Sequence, residues 1–243
     1  MRRKFQRLTR LRSELRRGKP SARRAVAPSE GGSNLRAVLM NDCFALFDER
    51  RRPWIDPDLL KQKFLARSAE FHPDRVHSAS TQERRAAQER YTELNTAYNC
   101  LRDPKERLAH LLELERGAKP TQVQDIPSGL MSLSLEVGQI CREADAFLAE
   151  KAKVASPLLR VRMFQRNQDC TDKLLELQKA LGTRYEAVIA QLKTVDADWE
   201  ASGTRDSSIR AANLDRLEEL AQLFSYFKRW RQQIQERIVQ LSF

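Results

Sequence analysis

Glycine is scarce in this chain, with 8 among 243 residues, and histidine is scarcer still at three. So few glycines beside a charged fraction of 32% point to long solvated helices and to an all-helical protein. No run of about 18 uncharged apolar residues occurs, because Arg, Lys or Gln breaks every apolar patch within a turn or two, and this excludes a membrane-spanning helix. The four cysteines, Cys43, Cys100, Cys141 and Cys170, form no C-x-x-C and accompany no histidine pair at finger spacing. The spacing therefore predicts no zinc site, and each cysteine reads as a reduced thiol on or beside a helix. There is also no nucleophile at an elbow and no Gly-rich loop to cradle an oxyanion or phosphate. The expectation is a protein that is not an enzyme and needs no metal or other cofactor.

The net charge of +11 looks like a nucleic-acid signal until it is located. Residues 1–39 hold twelve Lys or Arg against two acids, leaving 32 basic and 31 acidic residues beyond them. The body is electrically balanced, and cations confined to a tail make a poor phosphate-binding fold, so no specific nucleic acid is expected. Within the tail, "KPSARRAVAPSEGGSN" cannot build a core, and a disordered segment over 1–39 is expected. Phe5, Leu8, Leu11 and Leu15 nevertheless stand at helical spacing among arginines. The tail thus fits a basic amphipathic transit peptide, a solvated extension, or a mispredicted start with Met40 as the true one.

From Asn41 the pattern changes. "NDCFALF" offers a capping Asn or Asp before a short apolar run. "DPDLLKQKFLARSAEFH" opens on Pro57 at a first-turn position and carries Leu60, Phe64 and Phe71 on one face. A helix follows with Ala87, Tyr91, Leu94, Tyr98 and Leu101 at three- and four-residue steps. "DPKERLAHLLELERG" predicts another, capped by Asp103, started by Pro104, buried through Leu108, Leu111 and Leu112, and stopped by Gly117. "GAKPTQVQDIPSG" is a linker. Beyond it, helical stretches at 130–153, 157–199, with a weak point at Gly182, and 207–241 predict an antiparallel three-helix bundle. The expected domains are 40–117 and 129–243, joined by 118–128.

The most chemically pointed stretch is His72-Pro73-Asp74, at the end of a helix. Three uses compete for it. As a metal site, His72, Asp74 and His77 offer donors within six residues, but Pro73 stiffens the turn and no further ligand completes the set. As a catalytic dyad it lacks a nucleophile. As a polar turn it needs only proline geometry and a local cap.

The surroundings decide between these uses. A tripeptide after a basic helix (Lys61, Lys63, Arg67), followed by a long helix ending "AYNCLRDPKERLAH", resembles a J-domain. The matching residues are Ala97, Tyr98, Leu101, Asp103, Pro104 and Arg107. With "SGLMSLSLEVGQI", "KALGTRYEAVIAQL" and a closing amphipathic helix, residues 41–243 look like the HscB-type J-domain co-chaperones of iron–sulfur cluster biogenesis.

The resemblance implies that the His72-Pro73-Asp74 loop and the basic face at Lys61, Lys63 and Arg67 dock on a DnaK/HscA-type ATPase chaperone and stimulate ATP hydrolysis there. Arg75 stands where the family more often has Lys, which keeps the charge. The resemblance also implies that the bundle holds an IscU-type iron–sulfur scaffold protein through Leu130, Met131, Leu133, Tyr226 and Phe227. Leu135, Gly138 and Arg142 occupy positions where the family carries acids. Phe224, Tyr226, Phe227 and Trp230 also read as part of a core stripe. The expected location is a bacterial cytoplasm, or a mitochondrial matrix if the tail is a transit peptide. The other readings of the chain are a J-protein with a different client and a basic-tailed helical adaptor for RNA or an anionic membrane.

Overall fold

Local chemistry sets the helix starts. In the computed structural model, which describes residues 42–70, 80–118, 126–154, 156–202 and 207–243, Asp42 caps helix α1 (Cys43–Leu46) by accepting the N–H groups of Phe44 and Ala45. The tail at 1–39, the His72-Pro73-Asp74 tripeptide and most of the linker at 118–128 lie outside the described residues. Asp56 accepts the N–H groups of Asp58 and Leu59 at 2.9 and 3.0 Å, opening α2 (Pro57–Glu70) with proline at its first position. Ser80 and Glu83 form a reciprocal capping box that starts α3 (Thr81–Arg102). Asp103 caps α4 (Pro104–Arg116), which ends at Gly117 with φ +72°. That left-handed conformation is open to glycine at little cost.

The four helices pack through the apolar positions that the periodicity selects. Phe44, Phe47, Leu60, Leu94, Ala97, Leu101, Leu108, Leu111 and Leu112 are all buried in one core. Each Leu or Phe so buried contributes about 1.5–3 kcal/mol relative to exposure. Phe64 stacks on Tyr98 with ring centroids 4.2 Å apart, fastening α2 to α3.

A short 3-10 turn (Ser128–Leu130) leads into α5 (Met131–Lys153). Then come α6 (Pro157–Arg162), α7 (Phe164–Ser202) and α8 (Ser207–Leu241). Helices α5, α7 and α8 pack on one another through buried stripes, for example Leu133, Val137, Cys141, Ala144 and Phe147 on α5. All described elements are helical, as expected. The expected weak point is in a different place. Helix α7 runs unbroken through Gly182, and the interruption is a turn at Met163, which is itself buried. One glycine in a helix flanked by buried Leu177, Leu181 and Val188 is tolerated, because packing on both sides outweighs its cost of about 1 kcal/mol. No helix among the described residues is long and apolar enough to cross a membrane.

Asn41–Phe243 forms one compact unit. Helix α4 packs against α8, and the segment between α1 and α2 is fixed to α7. Asp196 of α7, buried, accepts the Trp54 N–H at 3.0 Å and pairs with the Arg52 guanidinium. Trp199 donates its indole N–H to the Arg51 carbonyl at 3.0 Å. Arg107 of α4, buried and paired with no carboxylate among the described residues, donates to the Pro53 carbonyl at 2.7 Å and to the Leu101 carbonyl at 2.5 Å. Burial pulls its pKa down to about 10, which leaves it charged at neutral pH.

Candidate functional site

The tripeptide is bracketed by described helices on both sides. Helix α2 ends at Glu70 and Ser80 caps α3. The two helices are in contact, held by Leu60, the Phe64–Tyr98 stack and Leu101. Residues 71–79 therefore join the ends of two packed helices. The capping box at Ser80 and Glu83 has the Ser-x-x-Glu signature, a local signal for the start of α3.

The basic residues of α2 differ from one another. Lys61 is exposed and makes no ion pair among the described residues. Lys63 donates to Glu49 at 2.6 Å, and Arg67 bonds the Leu46 carbonyl and pairs with Asp48. The last two cations tie α2 back to the end of α1 and the segment after it. Only Lys61 of the three therefore presents an uncompensated charge.

The five residues expected to face a partner also separate. Met131 is 48% exposed, and Leu135, one turn further along α5, is 67% exposed. Leu130, Leu133, Tyr226 and Phe227 are buried, Leu133 and Phe227 at 1% exposure. These four fill the core, and the reason is periodicity: Leu133 begins the buried stripe of α5. On α8, Phe227 packs edge-on against Tyr185 and Trp230. Of the five expected positions, Met131 is the one exposed to solvent. Leu135, one of the places where the family carries an acid, is the exposed apolar neighbour. The core-stripe reading of Phe224, Tyr226, Phe227 and Trp230 matches their burial.

One constellation has no local sequence signal. The first residue of α1, Cys43, the last turn of α3 at Cys100, and α4 at His110 converge, so that their sulfur and nitrogen donor atoms lie within 4.8 Å of one another. The His110 ring stacks on Phe44, with centroids 5.8 Å apart and planes 9° from parallel, and its Nε2 accepts the Cys43 N–H at 3.1 Å. A hydrogen bond from Cys100 lowers the Cys43 thiol to about 5, with His110 adding to the effect, and the same bond pushes Cys100 up. Burial works against the charged form of His110, yet the hydrogen bond and charge of Cys43, with Asp42 nearby, carry its pKa above the ordinary imidazole value. Cys141 and Cys170 stand apart from this group, and burial raises both thiols.

No protein-family profile matches the chain. Among curated proteins, the co-chaperone protein HscB homolog of Bordetella pertussis is 33% identical over 151 residues, which cover 59% of this chain and 86% of that protein. The co-chaperone protein HscB homolog of Mannheimia succiniciproducens is 29% identical over 168 residues, covering 58% and 92%. Among solved structures, the crystal structure of human co-chaperone protein HscB is similar with a TM-score of 0.51 over 80% of each chain, at 18% identity. This last likeness is one of fold.

Proposed function

The chain belongs to the HscB family of co-chaperones, and on that footing we propose that it stimulates the ATPase of a DnaK/HscA-type chaperone and delivers to it an IscU-type iron–sulfur scaffold protein, in support of cluster assembly and transfer. The observation that carries the reading is the His72-Pro73-Asp74 tripeptide between two packed helices, in a chain that aligns with most of a co-chaperone's length. Asp74 accepts charge-assisted hydrogen bonds from an arginine of the chaperone. Pro73 holds the shape of the loop, and His72 orders it by directed hydrogen bonds. Lys61 steers encounter with an acidic chaperone surface, an effect on association rate more than on affinity. Lys63 and Arg67 shape the base of this face through their internal pairs. The scaffold contacts Met131 and Leu135, where methionine suits an adaptable apolar surface. The chemistry then takes place on the chaperone.

Steady-state ATP hydrolysis by an HscA-type chaperone, with this protein added alone and with an IscU-type scaffold, tests the proposal against His72→Gln. Stimulation that the substitution removes and the scaffold enhances is the expected result. Stimulation indifferent to the scaffold would reassign the bundle to another client. Absence of stimulation would return the tripeptide to a turn and leave the basic tail to be explained.

A further inference from the structure

We infer that Cys43, Cys100 and His110 form a binding site for a soft divalent cation of the zinc class, with two thiolates and one imidazole as ligands and a fourth coordination position open. Three elements distant in sequence deliver the donors, since Cys43 and His110 are separated by 67 residues. Their ligating atoms lie within 4.8 Å of one another. Tetrahedral zinc, with Zn–S near 2.3 Å and Zn–N near 2.0–2.1 Å, sets its ligand atoms about 3.5–3.8 Å apart. The donors thus close on the ion by about 1 Å or less, within the reach of side-chain rotation on fixed helices.

The donor set selects the kind of ion. Two sulfurs and an imidazole nitrogen suit zinc and its neighbours, and they disfavour magnesium or calcium, which take oxygen ligands. All three residues are half-buried, so each keeps some contact with solvent, from which a fourth ligand can come. The imidazole is already oriented. Phe44 stacks on it, and its Nε2 holds a lone pair, because that atom accepts the Cys43 N–H. Exchanging this bond for a metal bond frees an N–H in the first turn of α1, where solvent can replace the partner.

Binding displaces to solvent whatever protons the three ligands still carry, that of Cys100 among them, and leaves the cation bound to two thiolates. The ion would clip the start of α1 to α3 and α4. A disulfide between Cys43 and Cys100 is the competing fate of the same pair. It makes no use of His110, and the presence of an imidazole as third donor favours the metal.

The test uses the full chain, reduced and freed of metal by chelation, and titrated with Co²⁺ as a spectroscopic probe, with Zn²⁺ then added in competition. One equivalent should bind, with thiolate-to-cobalt charge transfer and the intense visible bands of a tetrahedral ion, and Zn²⁺ should displace it. Cys43→Ser and Cys100→Ser should each abolish the charge-transfer signature or weaken binding by at least about 100-fold, and His110→Gln by about 10–100-fold. Cys141→Ser and Cys170→Ser should leave it unchanged. A second readout does not depend on the variants folding. Zn²⁺ should protect Cys43 and Cys100 of the unaltered chain from alkylation, mapped peptide by peptide, and leave Cys141 and Cys170 as reactive as before. The inference is overturned if the reduced chain binds no cobalt, if the spectrum lacks thiolate bands, if Cys100→Ser binds as tightly as the unaltered chain, or if zinc protects no thiol. It is also overturned if the pair proves to cross-link on oxidation while the reduced form has no metal affinity.

Discussion

Replacing Arg52 by alanine is expected to cost more stability than replacing Asp196, although each makes three polar contacts at this junction. Its carboxylate accepts from the Arg52 guanidinium twice and from the Trp54 N–H once, and its side chain is only 6% exposed against 28% for Arg52. Asp196→Ala leaves the guanidinium half in water and still paired with Glu200 at 2.9 Å. The main loss is then the orphaned Trp54 N–H, for a total of about 2 kcal/mol. Arg52→Ala strands a buried carboxylate with one backbone N–H for company. Breaking a buried pair in this way costs about 3–5 kcal/mol, and water entering the vacated space brings the expectation to the lower end, about 3 kcal/mol. Removing both charges strands neither, so the double variant should fall short of the sum of the singles by about 2 kcal/mol. Urea unfolding of the four proteins, compared at matched m-values, measures all three quantities. The reasoning is refuted if Arg52→Ala is the milder change or if the two costs simply add.

Gly182→Ala should stabilise the chain by about 0.5–1 kcal/mol, because a Cβ there meets nothing within 4 Å and the position is mid-helix; a lower melting temperature would contradict this. Asp103→Ala should cost about 1–2 kcal/mol in chemical denaturation, since it removes the cap of α4 and the partner of Lys228 at 2.7 Å together. Leu135→Arg, at an exposed position, should leave the melting temperature within about a degree and weaken scaffold binding by at least about tenfold in calorimetry; unchanged affinity would move the proposed contact off α5. Leu133→Ala, by contrast, should destabilise by about 2–4 kcal/mol whatever the scaffold does.

The elements were legible wherever a short-range rule governs them. Asp42, Asp103 and Gly117 mark helix ends through bonds to residues two to four positions away, and such bonds leave a local signature. The core stripes of α3, α4 and α5 were legible through their period. What was hidden depends on partners far along the chain. Arg52 and Asp196 lie 144 residues apart, and no periodicity joins them. Cys43, Cys100 and His110 each look ordinary in their own helix and become a group only when α1, α3 and α4 pack. Which of the residues named for a partner are exposed was hidden for a related reason. A family pattern names positions, but which of Met131, Leu133 and Leu135 points outward follows from the helix rotation that buries Leu133 and Val137. The break at Met163 carries no proline or glycine of its own, whereas Gly182 stands out only by residue type.

Helix α4 is capped and started like the end of the N-terminal helical group, yet it lies against α8, with Arg116 reaching Asp215 and Arg210 reaching Glu115 across the contact. A fragment cut after Gly117 would therefore uncover the face of α4 that α8 covers and remove the ion-pair partners of Arg116 and Glu115. A chimera that grafts this N-terminal half onto another carrier would need a substitute for the α8 surface. The linker divides the two helical groups in sequence but not in packing.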